Sequence, residues 1–154
     1  MPPVSEHHRA RRLALQGLCS LDVQGPDALD LVWAFFSDSR ERPETVAEAR
    51  QILDQTFARR DEIDALLSGQ SQHWRIGRMA MVDRNILRLA VWEMLAGRAP
   101  KAVAIDEAIR LAREFASAES ARFINGVLDA AAHRIQENAA QPPGPQPPAE
   151  DASP

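Results

Sequence analysis

The sequence predicts an all-α protein, and three observations carry that expectation. The composition is 45% hydrophobic but only 5% aromatic, without Tyr, and rich in Ala, Leu and Arg, residues of high helix propensity. Apolar residues recur at helical spacing along most of the chain, and no segment alternates as a strand would. Gly and Pro punctuate these stretches as stops and starts. Together they predict six main helices in two packed three-helix bundles, and 154 residues suffice to bury such a core without staples. The bundles are expected over about 5–69 and 70–138 of a single domain spanning 1–138, with a disordered tail over 139–154.

The elements follow in order. From about Ser5 to Val23, Leu13, Ala14, Gly17, Leu18 and Leu21 trace one helix, which Gly25-Pro26 stops. Pro26 at a first-turn position, with Asp27 and Asp30 complementing the helix dipole, opens a short second helix to about Phe36. A polar loop at Ser37 to Arg42 precedes a long third helix from Pro43, whose stripe of Val46, Ala49, Leu53, Phe57, Ile63 and Leu67 ends at Ser68-Gly69. After a polar link at Gln70 to Gln72, Trp74 and Ile76 form a short turn. A fourth helix then presents Met79, Ile86, Leu87, Ala90 and Met94, with Gly97 as its C-terminal cap. Pro100 breaks the chain before a fifth helix, Lys101 to about Phe115, and Ser117 caps a sixth that reaches roughly Glu137. Beyond Asn138 the chain is Ala, Gln, Gly and Pro, with six prolines from Pro142 to Pro154, a composition that cannot form a packed element.

Charge is unevenly distributed. The net charge of -4 argues against a nucleic-acid partner, but the last residues hold Glu137, Glu150 and Asp151 and no base, leaving the body nearly neutral. Arg9, Arg11 and Arg12, with His7 and His8, make the amino terminus a local basic patch. Such a patch at a helix start neutralises phosphates with salt-dependent affinity, or is a solvated helix end.

Enzyme signatures are scarce. No histidine has a companion at metal-ligand spacing, no Gly-rich phosphate loop follows a strand, and Cys19 in an apolar helix reads as a small buried hydrophobe. The expectation is a protein without catalytic residues, metal or cofactor. No signal-peptide pattern and no apolar run approaching ~18 residues point to a cytoplasmic location without a membrane.

Two further places suggest contacts. In the last helix, Ile124, Val127, Leu128, Ala131 and Ile135 form the buried face at ~100° per residue. Phe123 lies at its edge beside Glu119, Gly126 and Ala130, with Arg122 further round. An aromatic next to an Arg at a helix start can stack on an unpaired base and hold its phosphate, or be rim core. Asn125-Gly126 is by itself a hairpin signal that the helical context overrules. A glycine there costs about 1 kcal/mol relative to Ala, which suggests a close approach to the backbone. In the fourth helix, Asp83 interrupts the apolar stripe and must reach a donor or a partner. Arg84 and Arg88 form an i, i+4 pair with Glu93 and Glu107 as available counter-charges.

Four segments together resemble the NusB family of transcription antitermination factors. They are Arg9-Ala10-Arg11 followed by Ala14-Leu15-Gln16-Gly17-Leu18; Val82-Asp83-Arg84-Asn85-Ile86-Leu87-Arg88-Leu89-Ala90; Val103-Ala104-Ile105-Asp106-Glu107-Ala108; and Phe123-Ile124-Asn125-Gly126-Val127-Leu128-Asp129. The resemblance covers roughly residues 9 to 135, and its last two segments are the specific ones. It implies two three-helix bundles that bind boxA RNA of ribosomal RNA transcripts with NusE, the small-subunit ribosomal protein, within an RNA polymerase antitermination complex. It implies RNA contacts from Arg9, Arg11, Arg12, Glu119, Ser120, Arg122 and Phe123, with Asp83 and Arg84 toward NusE. A homodimer that buried the basic end would compete with RNA. The sequence departs from the family in its shorter basic cluster, in Cys19 at a commonly aromatic position, in Asp106 where Asn is usual and in Ala116 where Gly is usual. Two other readings stay open: a targeting module akin to the amino-terminal domain of ribosomal RNA cytosine methyltransferases, and a helical adaptor that binds only proteins.

Overall fold

The computed structural model describes residues 5–68 and 76–140. Among them are seven α-helices and no strand. The expected link at Gln70 to Gln72, with Trp74, and the Pro-rich tail from Pro142 lie outside the described residues.

Helix α1 (Glu6–Gln24) begins where Ser5 Oγ accepts the His8 backbone N–H at 3.1 Å. It ends at Gly25, whose φ of +87° favours glycine and whose N–H donates to the Leu21 carbonyl at 2.7 Å. A 3-10 turn (Pro26–Ala28) leads into α2 (Leu29–Asp38). Gly17 marks the tightest approach in this part of the fold. A Cβ there would overlap Leu53 Cδ1 and stand 3.0 Å from both Phe36 Cζ and Val32 Cγ1.

The long third helix expected from Pro43 to Ser68 is two helices, α3 (Pro43–Ala58) and α4 (Arg60–Ser68). Arg59 leaves the helical basin at φ −99° and ψ 14°, its N–H directed at the carbonyls of Gln55 and Phe57. The cause is tertiary: α3 lies along α1, whereas α4 packs against α5 and α7. A straight rod of that length, roughly 39 Å at 1.5 Å per residue, could not follow both directions.

After a 3-10 turn (Ile76–Arg78), α5 (Met81–Leu95) runs through the centre, touching α1, α3, α4, α6 and α7. It closes in a Schellman motif: Gly97 at φ +64° donates to Met94 O at 3.3 Å and Arg98 N–H to Glu93 O at 3.0 Å. Helices α6 (Lys101–Phe115) and α7 (Ala118–Ala140) pack on α5 and on each other, and Ser117 Oγ caps α7 by accepting the Ser120 N–H at 3.0 Å. Ile124, Val127, Leu128 and Ala131 face inward as the helical spacing requires. They join one apolar cluster to which all seven helices contribute, with Phe36 and Trp92 its largest buried side chains. No helix is long and apolar enough to cross a membrane among the described residues.

Candidate nucleic-acid interface

The wheel of α1 divides its basic residues. Arg9 and Arg12 fall on the outward stripe with Gln16, while Arg11 shares the inward stripe of Leu15 and Leu18. Arg9 is half exposed, with Glu41 at 3.9 Å. Arg12 is also part exposed: one terminal nitrogen meets Glu114 at 2.7 Å, and its guanidinium lies 5.9 Å from the centre of the Phe115 ring. This places a cation at the C-terminal turn of α6, where the helix dipole favours it.

Arg11 is different. Only 7% of it is exposed, its Nε donates to Glu93 Oε1 at 2.7 Å, and Glu107 stands 3.6 Å from a terminal nitrogen. The expected surface contact is therefore an internal tie between α1, α5 and α6. Burial pushes the Glu93 carboxyl above its ordinary range, against the opposing pull of Arg11 and Arg98. His8 is buried beside it, Nδ1 at 2.6 Å from Glu107 and Nε2 at 3.4 Å from Glu114. His7 meets Glu48 at 2.7 Å. Each basic side chain of the first two turns thus faces a carboxylate, which the local sequence does not foretell because the partners lie on α3, α5, α6 and the loop before α3.

Among the other expected contacts, Glu119 and Arg122 are exposed on α7, and Phe123 is half buried against the core. Glu119, Ser120 and Phe123 line one cleft with Met79, Ala80 and Asp83. Asp83 is buried, accepts the Ser120 hydroxyl at 3.2 Å through Oδ2, and leaves Oδ1 without a donor among the described residues. Arg84 points elsewhere, donating to both carboxylate oxygens of Asp22 on α1 at 2.6 and 2.9 Å. The side chains of Asp83 and Arg84 thus engage different helices, α7 and α1. A Cβ at Gly126 would meet nothing within 4 Å among the described residues, so packing against another described helix does not account for that glycine.

Asp22 is a hub that sequence reasoning missed. Besides Arg84 it accepts Asn85 Nδ2 at 2.8 Å and Arg88 at 3.4 Å, and Arg88 in turn holds Asp64 at 2.8 and 2.9 Å. Burial acts to raise its carboxyl, but the hydrogen bonds and charges of Arg84, Asn85 and Arg88 outweigh it and leave it below the usual range. A carboxyl so depressed stabilises the fold above its ordinary pKa, and the benefit is lost as pH falls through the lowered value. Asp22→Asn is expected to cost about 1–3 kcal/mol at pH 7, and urea titrations of the two proteins should converge in acid below the ordinary carboxylate range. A gap independent of pH would remove the charge from this account. Nearby, burial and then the Asp22 charge push the Cys19 thiol up to about 11, which keeps it protonated and unreactive.

This helical order, with α5 packed against both the amino-terminal and the carboxy-terminal helices, defines the class as an all-α helical bundle protein. The family model described as NusB family matches residues 8–133, and the chain belongs to that family. A relative from Solibacter usitatus (strain Ellin6076), transcription antitermination protein NusB, is 40% identical over 141 residues, covering 90% of this chain and 97% of that one. The solved structure of T. maritima NusB superposes with a TM-score of 0.74 at 28% identity, over 85% of this chain and 96% of the other. A chain from the crystal structure of antitermination factors NusB and NusE in complex with dsRNA shares the fold, with a TM-score of 0.71 at 23% identity over 84% and 97% of the two chains.

Proposed function

We propose that this chain is a non-enzymatic cytoplasmic antitermination factor that binds boxA-type RNA of ribosomal RNA transcripts together with NusE and supports RNA polymerase read-through. The observation that carries the reading is the outward pair Arg9 and Arg12, with Arg12 stacked at the end of α6 just before α7 begins at Ala118. From there the proposed RNA face continues through Glu119, Ser120, Arg122 and Phe123, while Asp83 and Arg84 are offered to NusE. Arg11 serves this face indirectly, by fixing α1 against α5. Residues 1–138 form the RNA-binding domain in this reading, with subdomains of about 5–69 and 70–138 and a tail over 139–154. The relative solved with NusE and dsRNA supports both partners.

The test is fluorescence titration of a boxA strand and a scrambled strand, with and without NusE, across a salt series. Affinity should fall steeply with salt, favour boxA and rise with NusE. Arg9→Gln and Arg12→Gln should each lower the slope of log K against log[salt] by about 1. No preference for boxA in the presence of NusE sinks the reading, RNA binding unmoved by reversing both charges puts the RNA surface elsewhere, and no RNA binding at all leaves the protein-only adaptor.

A further inference from the structure

We propose that Glu114 is an intramolecular stand-in for an RNA phosphate, occupying Arg12 in the free protein and giving way when RNA takes its place. The inference rests on the RNA reading above and names a residue that sets affinity at that surface.

The two oxygens of Glu114 are divided between two basic groups. Oε1 lies 2.7 Å from the Arg12 guanidinium, and Oε2 lies 3.4 Å from His8 Nε2. Glu107 anchors the other side of the His8 ring at 2.6 Å, which ties α1 to α6 beside the pair. Arg12 is itself incompletely satisfied. Its Nε is buried with no acceptor among the described residues, while Phe115 supports the guanidinium from one side. Both partners of the pair are more than one third exposed, at 40% and 35% of their side chains. A phosphate can therefore reach the guanidinium, and the ion pair it replaces is of the weak, solvent-screened kind. An oligoanion delivers several phosphates at once and releases counterions as it does so. Glu114 thus holds back weak or isolated anions and yields to a strand that also engages Arg9.

The experiment is a double-mutant cycle on RNA affinity using full chains, with boxA RNA as probe. Glu114→Gln should raise affinity about threefold to tenfold at low salt, an effect that shrinks as salt screens the pair. Asp106→Asn removes one exposed charge from the same helix outside any ion pair described above, and should change affinity less than about twofold. In an Arg12→Gln background, the gain from Glu114→Gln should fall to that of Asp106→Asn. An equal gain with and without Arg12, or one no larger than the Asp106 control, overturns the proposal while leaving RNA binding intact. Failure of the wild-type chain to bind boxA RNA with NusE would instead remove the reading on which it rests.

Discussion

Replacing Arg11 with methionine is expected to lower the unfolding free energy by about 3–5 kcal/mol, because it strands a buried carboxylate. Glu93 is only 1% exposed, and Arg11 is its hydrogen-bonding partner through Nε at 2.7 Å. The double variant Arg11→Met with Glu93→Met should recover much of the loss, since a well-packed apolar pair replaces an ion pair at little cost. The pH dependence has a definite sign. The Glu93 carboxyl is raised by burial, so its ionisation opposes folding at neutral pH, and that penalty vanishes below the ordinary carboxylate range. The deficit of Arg11→Met should therefore shrink as pH falls. Urea denaturation from pH 7 downward, read with RNA affinity under folding conditions, decides the matter. A variant with unchanged stability but weakened RNA binding would return Arg11 to the RNA surface.

Gly17→Val is expected to cost about 3 kcal/mol through overpacking. The added atoms would meet Leu53, Phe36 and Val32, which are buried on two neighbouring helices. Helix propensity acts the other way, so Gly17→Ala should cost less than the valine variant. Gly126→Ala is the control, since its Cβ would meet nothing within 4 Å among the described residues. It should gain up to about 1 kcal/mol from propensity alone. Thermal melts of the three variants would give that order, and a neutral Gly17→Val would show that α1 can move away from α2 and α3 at no cost.

The two glycines show what one chain of residues can reveal. Both stand inside apolar helical stretches, and sequence alone drew attention to Gly126, whose surroundings are open, while the crowding at Gly17 depends on side chains from α2 and α3. Helix ends were legible because their causes are local: Ser5, Gly25, Gly97 and Ser117 each act within a turn of themselves. The break at Arg59 was not, because buried Thr56, Ile63 and Leu67 continue one helical stripe across it and the bend answers to packing against α5 and α7. The basic cluster was visible as composition, and helical phase would have separated Arg11 from Arg9 and Arg12. Their carboxylate partners were beyond reach, since Glu93, Glu107 and Glu114 lie some 80 to 100 positions along the chain from α1. Glu93 and Glu107 do act as counter-charges, though to Arg11 and His8 rather than to Arg84 and Arg88.

The apolar cluster that passes without a gap from Leu13 on α1 through Ile86 on α5 to Leu128 on α7 has a thermodynamic consequence. Neither half of the molecule keeps a sealed interior once the other is lost, because α5 belongs to both. Local opening near α2 or α4 therefore erodes a shared interior, and the molecule is expected to melt as a single cooperative unit, without separate transitions for the two halves. Damage far from α7 would then reach Phe123 and Arg122 as a smaller fraction of intact molecules, with the chemistry of that surface unaltered.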